Sequence, residues 1–165
     1  MHIIPFSKLL LCGAFLLAAP THALEVIGVS DGDSLTVLRS GRPLKVRLAN
    51  IDAPEKRQDF GERSKQSLSD MCYRKEASLQ IQTIDRYGRA VALVTCGRTD
   101  VNRAQVRRGM AWVYSDYNKD KTLPVLEQKA RARREGLWLT GDAMPPWEFR
   151  KQVRSAAKAK ARTAW

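Results

Sequence analysis

A period of two dominates residues 34–48 and calls for a half-buried sheet. In "SLTVLRSGRPLKVRL", Leu35 and Val37 alternate with polar neighbours, "SGRP" reads as a turn, and Leu44, Val46 and Leu48 alternate again. Successive side chains of a strand point to opposite faces, so this pattern buries one face and wets the other. "EVIGVS" is expected as a preceding strand, entered into the same sheet through "DGDS". Alternation returns in "ASLQIQTI" through Leu79 and Ile81, "DRYGR" turns, and "AVALVT" is a further strand.

Helical spacing fills the gaps. Leu68 with Met71 and Cys72 predicts a helix over Gly61 to Cys72. Asp100 is the expected N-cap of a second, running to Arg108 with Gly109 in the C′ position. "MAWVY" reads as extended, and Thr122 is the expected cap of a last helix that carries Leu123, Leu126 and Ala130 on one face and stops at Gly136. Three strands, a helix, two strands and two helices fit an α+β domain. Its expected form is a five-stranded antiparallel barrel of the OB-fold type with three helices at its base.

The two ends differ from this middle. "MHIIPFSK" is a short positive lead, "LLLCGAFLLAA" (Leu9 to Ala19) is an apolar run, and "PTHA" ends in a small residue. That order predicts a cleavable signal peptide over residues 1–23 and an exported protein, periplasmic or secreted. The apolar run is short of the ~20 residues that span a bilayer, so no membrane anchor is expected after cleavage. At the other end, "KQVRSAAKAKARTAW" holds five basic residues and no acid. Residues 24–150 are thus expected as the domain and 151–165 as a flexible cationic tail.

Charge bears on partners. With 29 basic against 17 acidic side chains and a net charge of +12, the chain favours polyanions: nucleic acid, anionic lipid or acidic polysaccharide. Both histidines lie within residues 1–23, which removes imidazole chemistry from the mature protein. Cys72 and Cys96 remain there as a disulfide candidate, since an oxidising compartment favours bonded thiols. No stable protein partner is evident, and a monomer is expected.

Against this cationic background two acids stand out in "NIDAPE", Asp52 and Glu55, with Asp33 in "DGDS". Each aspartate alone reads as an ordinary turn residue. Strand ends of one barrel can nevertheless bring Asp33 and Asp52 together. Two carboxylates with a backbone carbonyl and water suit Ca²⁺ or a similar hard cation rather than zinc.

"DGDS", "VRLANIDAPE", "DRYGR", "VNRAQVRRGMAWVY" and "REGLW…PPWEFR" resemble, in order and spacing, the successive motifs of the staphylococcal (micrococcal) nuclease family. The resemblance spans about residues 24 to 150. It implies an OB-fold, often secreted, that hydrolyses DNA and RNA with Ca²⁺. By the same resemblance Asp33, Asp52 and the main-chain carbonyl of Ala53 hold the metal, with Ala53 where the family often has threonine. Arg47, Glu55 and Arg89 match the catalytic triplet. Arg86 and Tyr87 match substrate contacts, and Tyr117 matches one of two pocket tyrosines, Ser115 replacing the other. The loop from Glu55 to Gly61 is shorter than in the best-known member. Two other readings explain less of the sequence. A non-catalytic OB-fold nucleic-acid binder needs the charge but not the full acid and arginine set. A binder of acidic envelope polymers accounts for the charge and leaves the acids without a role.

Overall fold

The computed structural model describes residues 23–163. The segment expected as a signal peptide lies, apart from Ala23, outside the described residues. The two alternating runs form a hairpin of β2 (Ser34–Arg39) and β3 (Arg42–Leu48), paired from Ser34 opposite Arg47 to Arg39 opposite Arg42. β1 (Leu24–Val29) lines the other side of β2 and joins β5 (Glu76–Ile84), which pairs along its length with β6 (Ala90–Cys96). β6 then meets β3 and closes the ring, with Val46 opposite Ala90 and Leu48 opposite Ala92. Two shorter pairs complete the sheets: β4 (Ile51–Asp52) with β8 (Trp112–Val113), and β7 (Thr99–Asp100) on β6.

The closing pair corrects one expectation. β3 and β6 run parallel, so the barrel is mixed rather than antiparallel throughout. The reason is parity, because directions cannot alternate all the way around a ring with an odd number of strands. Four neighbours here are antiparallel and the fifth must be parallel. Inside, Val26, Leu35, Val37, Val46, Leu48 and Val94 are almost fully buried, as the period of two requires. Each such side chain contributes roughly 1.5–3 kcal/mol on leaving water.

Among the described residues four helices surround the barrel, one more than expected. α1 (Gly61–Cys72) buries Leu68, Met71 and Cys72. α2 (Val101–Arg107) begins where the Asp100 carboxylate accepts the Arg103 amide hydrogen. α3 (Leu123–Ala132) starts after Thr122, but Thr122 does not cap it. Asp120 orders the approach instead, accepting hydrogen bonds from the Thr122 amide and hydroxyl. A 3-10 turn over Gly136–Trp138 follows. α4 (Pro146–Thr163) runs through the boundary expected at residue 150, so the segment read as a flexible tail is helical to Thr163. Pro146 pre-sets the first turn, the following residues include no glycine or further proline, and alanine, lysine and arginine favour helix. Lys160 and Arg162 in its last turn also suit the helix dipole. No helix among the described residues is long and apolar enough to cross a membrane.

Two buried amides of α2 lock these parts together. Asn102 accepts a hydrogen bond from the Val94 amide and donates to the carbonyls of Ala49 and Ala92, bridging the parallel seam where β3 ends. Gln105 donates to the carbonyls of Gly32 and Ser64, tying the turn before β2 to α1.

Cys72 at the end of α1 is bonded to Cys96 at the end of β6. Closing a loop of this length stabilises the fold by ~3 kcal/mol in chain-entropy terms. Reduction should therefore lower the unfolding free energy by about that amount, measurable from urea midpoints of oxidised and reduced protein. Alkylation of the unfolded, unreduced protein should leave both cysteines unmodified, and labelling at either would show the bond is not formed.

Candidate active site

The turn before β2 and the end of β4 supply the two buried aspartates. Asp31 shapes that turn by accepting the Asp33 amide hydrogen at 3.1 Å. The Asp33 carbonyl accepts the Leu48 amide at 2.7 Å, which holds the turn against the end of β3. Its carboxylate takes the Ser34 hydroxyl on Oδ1 at 2.9 Å and the Ala53 amide on Oδ2 at 3.0 Å. Asp52 is the residue before Ala53, so this amide bond draws Asp33 and Asp52 into one site although nineteen positions separate them in the chain. Gly32 permits the approach. A Cβ there would collide with the Ser64 side chain and with Ala53.

Two guanidiniums answer these acids. Arg47 projects from β3 and donates Nη2 to Asp52 Oδ1 at 2.7 Å, with Asp33 Oδ2 at 3.4 Å. Its Nη1 is fixed by the carbonyls of Leu48 and Ile51. Arg150, on the second turn of α4, donates Nη2 to Asp52 Oδ2 at 2.7 Å and Nη1 to Glu55 Oε1 at 2.8 Å. Asp52 is therefore gripped by two arginines, and Glu55 is held to it through one of them. Glu55 leads into a tight loop, its carbonyl accepting the Gln58 amide. The loop returns so closely that a Cβ on Gly61 would strike that same carbonyl.

The electrostatics follow from burial. Asp52 is 1% exposed, and burial pushes its carboxyl above the ordinary value. The Arg150 hydrogen bond opposes that rise, while the charge of Asp33 adds to it. Asp31, also largely out of water and beside Asp33, is pushed up to about 6. Burial pulls the Arg150 guanidinium down, but its hydrogen bonds to Asp52 and Glu55 outweigh this and hold it above its usual range. Removing water from neighbouring acids demands positive charge beside them.

The remaining expected site residues have partners of their own. The Arg89 side chain pairs with Asp85, Nε to Oδ2 at 2.8 Å, across the turn between β5 and β6. Burial raises the Asp85 carboxyl, but the amides of Arg89 and Tyr87 and the Arg89 side chain, all donating to it, together hold it below the usual range. Arg86 donates to the Tyr87 hydroxyl on the exposed side of that turn. Tyr87 and Tyr117 are both about two-thirds exposed. Tyr117 leans on Tyr114 at 4.7 Å between ring centroids.

Two residues at the site were not singled out from the sequence. Tyr114 lies beneath the Arg47 guanidinium and stacks on Trp147, ring planes 3° apart. Arg150 follows Trp147 by three positions, which puts both on one face of α4. That spacing in "PPWEFR" was the available signal.

The family described as Staphylococcal nuclease homologue matches residues 45–140. The chain belongs to the staphylococcal nuclease family. An uncharacterised endonuclease of Escherichia coli O157:H7 is 42% identical over 135 residues, covering 81% of this chain and 88% of that protein. An uncharacterised endonuclease of Haemophilus influenzae is 42% identical over 132 residues, 79% and 74% of the two chains. A protein named micrococcal nuclease from Shigella flexneri is 38% identical over 143 residues, 80% and 82%. The mixed five-stranded barrel is accordingly this family's OB-fold.

The donors present fit a hard divalent cation. Asp33 and Asp52 offer anionic oxygens only, no histidine occurs among the described residues, and burial leaves their charge short of solvent compensation. Among the described residues no cluster of three or more such ligands occurs, so carbonyl and water oxygens would complete the shell.

Because Gly32 admits the contact between the Asp33 turn and Ala53, Gly32→Ala should force the two apart. A loss of ~1–3 kcal/mol is expected for overpacking of this kind, read from thermal or denaturant unfolding. Unchanged stability would mean the turn can shift freely.

Proposed function

We propose that this protein is an exported, Ca²⁺-dependent phosphodiesterase that hydrolyses DNA, RNA or both and leaves 3′-phosphate ends. One observation carries the reading: Arg47 bridges two buried aspartates while Glu55, half exposed, stands at the edge of the same cluster. The family membership and the relatives named endonuclease and micrococcal nuclease support it.

Asp33, Asp52 and the Ala53 carbonyl would hold Ca²⁺, which when bound supplies Lewis-acid polarisation of a phosphate oxygen. The chain's own groups account for the rest. A phosphodiester repels nucleophiles, and its transition state gathers more negative charge on the equatorial oxygens. The forked guanidinium of Arg47 is already fixed by two carbonyls at the acid pair, so its orientation is set before substrate arrives. Arg89, tethered by Asp85, offers a second fork from the neighbouring turn. The Glu55 carboxylate is open to water and takes a proton from the attacking molecule. Water oxygen bonds to phosphorus as the bond to the 5′ oxygen breaks, and that oxygen leaves with a proton from solvent. Arg86, Tyr87 and Tyr117 present exposed charge and ring faces suited to phosphate attraction and base stacking. The basic helix α4 adds phosphate attraction, which is screened by salt.

Plasmid DNA incubated with the purified protein should be cut with Ca²⁺ and spared with chelator. Glu55→Gln keeps the shape but cannot accept the proton, so turnover should fall by ~10²–10⁴ with little change in substrate binding. Intact plasmid with retained binding would return the chain to the non-catalytic OB-fold reading, and near-parental turnover in Glu55→Gln would take Glu55 out of the chemistry.

Export rests on the charged lead, apolar run and small-residue ending of residues 1–23. The intact mass of the exported protein should correspond to a chain that begins at Leu24. A mass that retains residues 1–23 would remove the export claim.

A further inference from the structure

The Arg150 contact has a consequence for cation binding. Asp52 Oδ2 accepts Arg150 Nη2 at 2.7 Å, while Oδ1 accepts Arg47 Nη2 at 2.7 Å and Arg150 Nη1 at 3.3 Å. Both oxygens of this carboxylate therefore already carry a guanidinium. Arg47 is held in place by two backbone carbonyls as well. Arg150 has a different footing, because the same fork reaches Glu55 Oε1 at 2.8 Å. It can give up Asp52 and keep an anionic partner.

Its helix is seated beside the site and not merely adjacent in sequence. Trp147 stacks on Tyr114 and meets Trp112 edge-on, and Gln58, from the loop that carries Glu55, donates to the Met144 carbonyl at 2.5 Å. The start of α4 is thus fixed against both β8 and the Glu55 loop. The family match ends at residue 140, before this helix begins.

We propose that Arg150 is a positioning residue that pairs Asp52 with Glu55 and competes with the divalent cation for Asp52. This rests on the reading of Asp33 and Asp52 as the cation site. Two positive charges drawn to one buried carboxylate repel each other, so cation binding must displace the Arg150 fork toward Glu55 or weaken its hold. The coupling is reciprocal: whatever loosens Arg150 from Asp52 strengthens cation binding by the same factor. In the absence of the cation, Arg150 keeps the two acids from repelling each other and keeps Glu55 facing the site.

Calorimetric titration of the purified protein with CaCl₂ tests this without reading activity. Arg150→Gln should bind Ca²⁺ about tenfold more tightly than the parent, since a like charge has been removed from Asp52. Arg150→Lys keeps the charge but cannot fork across two acids, and should fall between the two. A purely structural role for Arg150 predicts the opposite, weaker binding as the site loosens. Unchanged or weaker Ca²⁺ affinity in a folded Arg150→Gln overturns the inference. If that variant fails to fold by circular dichroism, Arg150→Lys decides: tighter binding than the parent supports the inference, equal or weaker binding overturns it. Asp52→Asn separates the two levels. Parental Ca²⁺ binding that Asp52→Asn abolishes preserves the cation site even when the Arg150 variants show no gain. Absence of Ca²⁺ binding in the parent and in every Arg150 variant overturns both.

Discussion

Asn102 sits at the seam on which the rest of the molecule depends. An odd-stranded ring must contain one parallel contact, and here it falls between β3 and β6. Where β3 leaves that seam, the Ala49 amide donates to the Ala92 carbonyl, and the Asn102 side chain occupies the carbonyls of Ala49 and Ala92 and the Val94 amide. The Ala49 carbonyl and the Val94 amide are buried backbone groups that Asn102 satisfies as the chain turns away from the sheet. Satisfying them fixes where Asn50 to Ala53 emerge, and hence where Asp52 lies. Gln105, one helical turn further along α2, does the same for the turn that carries Asp33. One helix thereby positions both aspartates from behind.

Around that frame the site is a problem of charge neutralisation. Asp33, Asp52 and Glu55 bring three negative charges, and Arg47 and Arg150 return two positive ones. Burial makes the balance matter, since an unpaired carboxylate out of water costs several kcal/mol. It also explains why a strongly basic protein concentrates acids at one spot. The surplus positive charge elsewhere attracts a polyanion, whereas the local negative charge suits a cation. A phosphate bridging the two needs both.

Much of the barrel could be read from the chain alone. The alternation through Leu35, Val37, Leu44, Val46 and Leu48 matches the buried face of β2 and β3, apart from Leu44, which is only partly buried. The helix expected from Gly61 to Cys72 has those bounds, and Asp100 caps α2 as its chemistry suggests. Expectations failed where one local cue overrode another. Thr122 stands at the N-cap position, but its hydroxyl is drawn to Asp120 instead of to the helix amides. The charge run after residue 150 was helical because alanines separate its lysines and arginines, a propensity that composition conceals.

The sequence by itself determined the period of the strands, the polyanion-seeking charge, the identity of the acids and arginines, and through its motifs the family. Those are local or compositional properties, fixed by residue type and spacing. Only the tertiary structure decided which arginine meets which acid. Arg89, close to the motif residues in the resemblance, is held by Asp85 four positions away, whereas Arg150, 98 positions from Asp52, crosses the molecule to bind it. Ion pairing depends on distance in space. That distance was set by barrel closure and by the seating of Trp147 on Tyr114, neither of which can be seen along the chain.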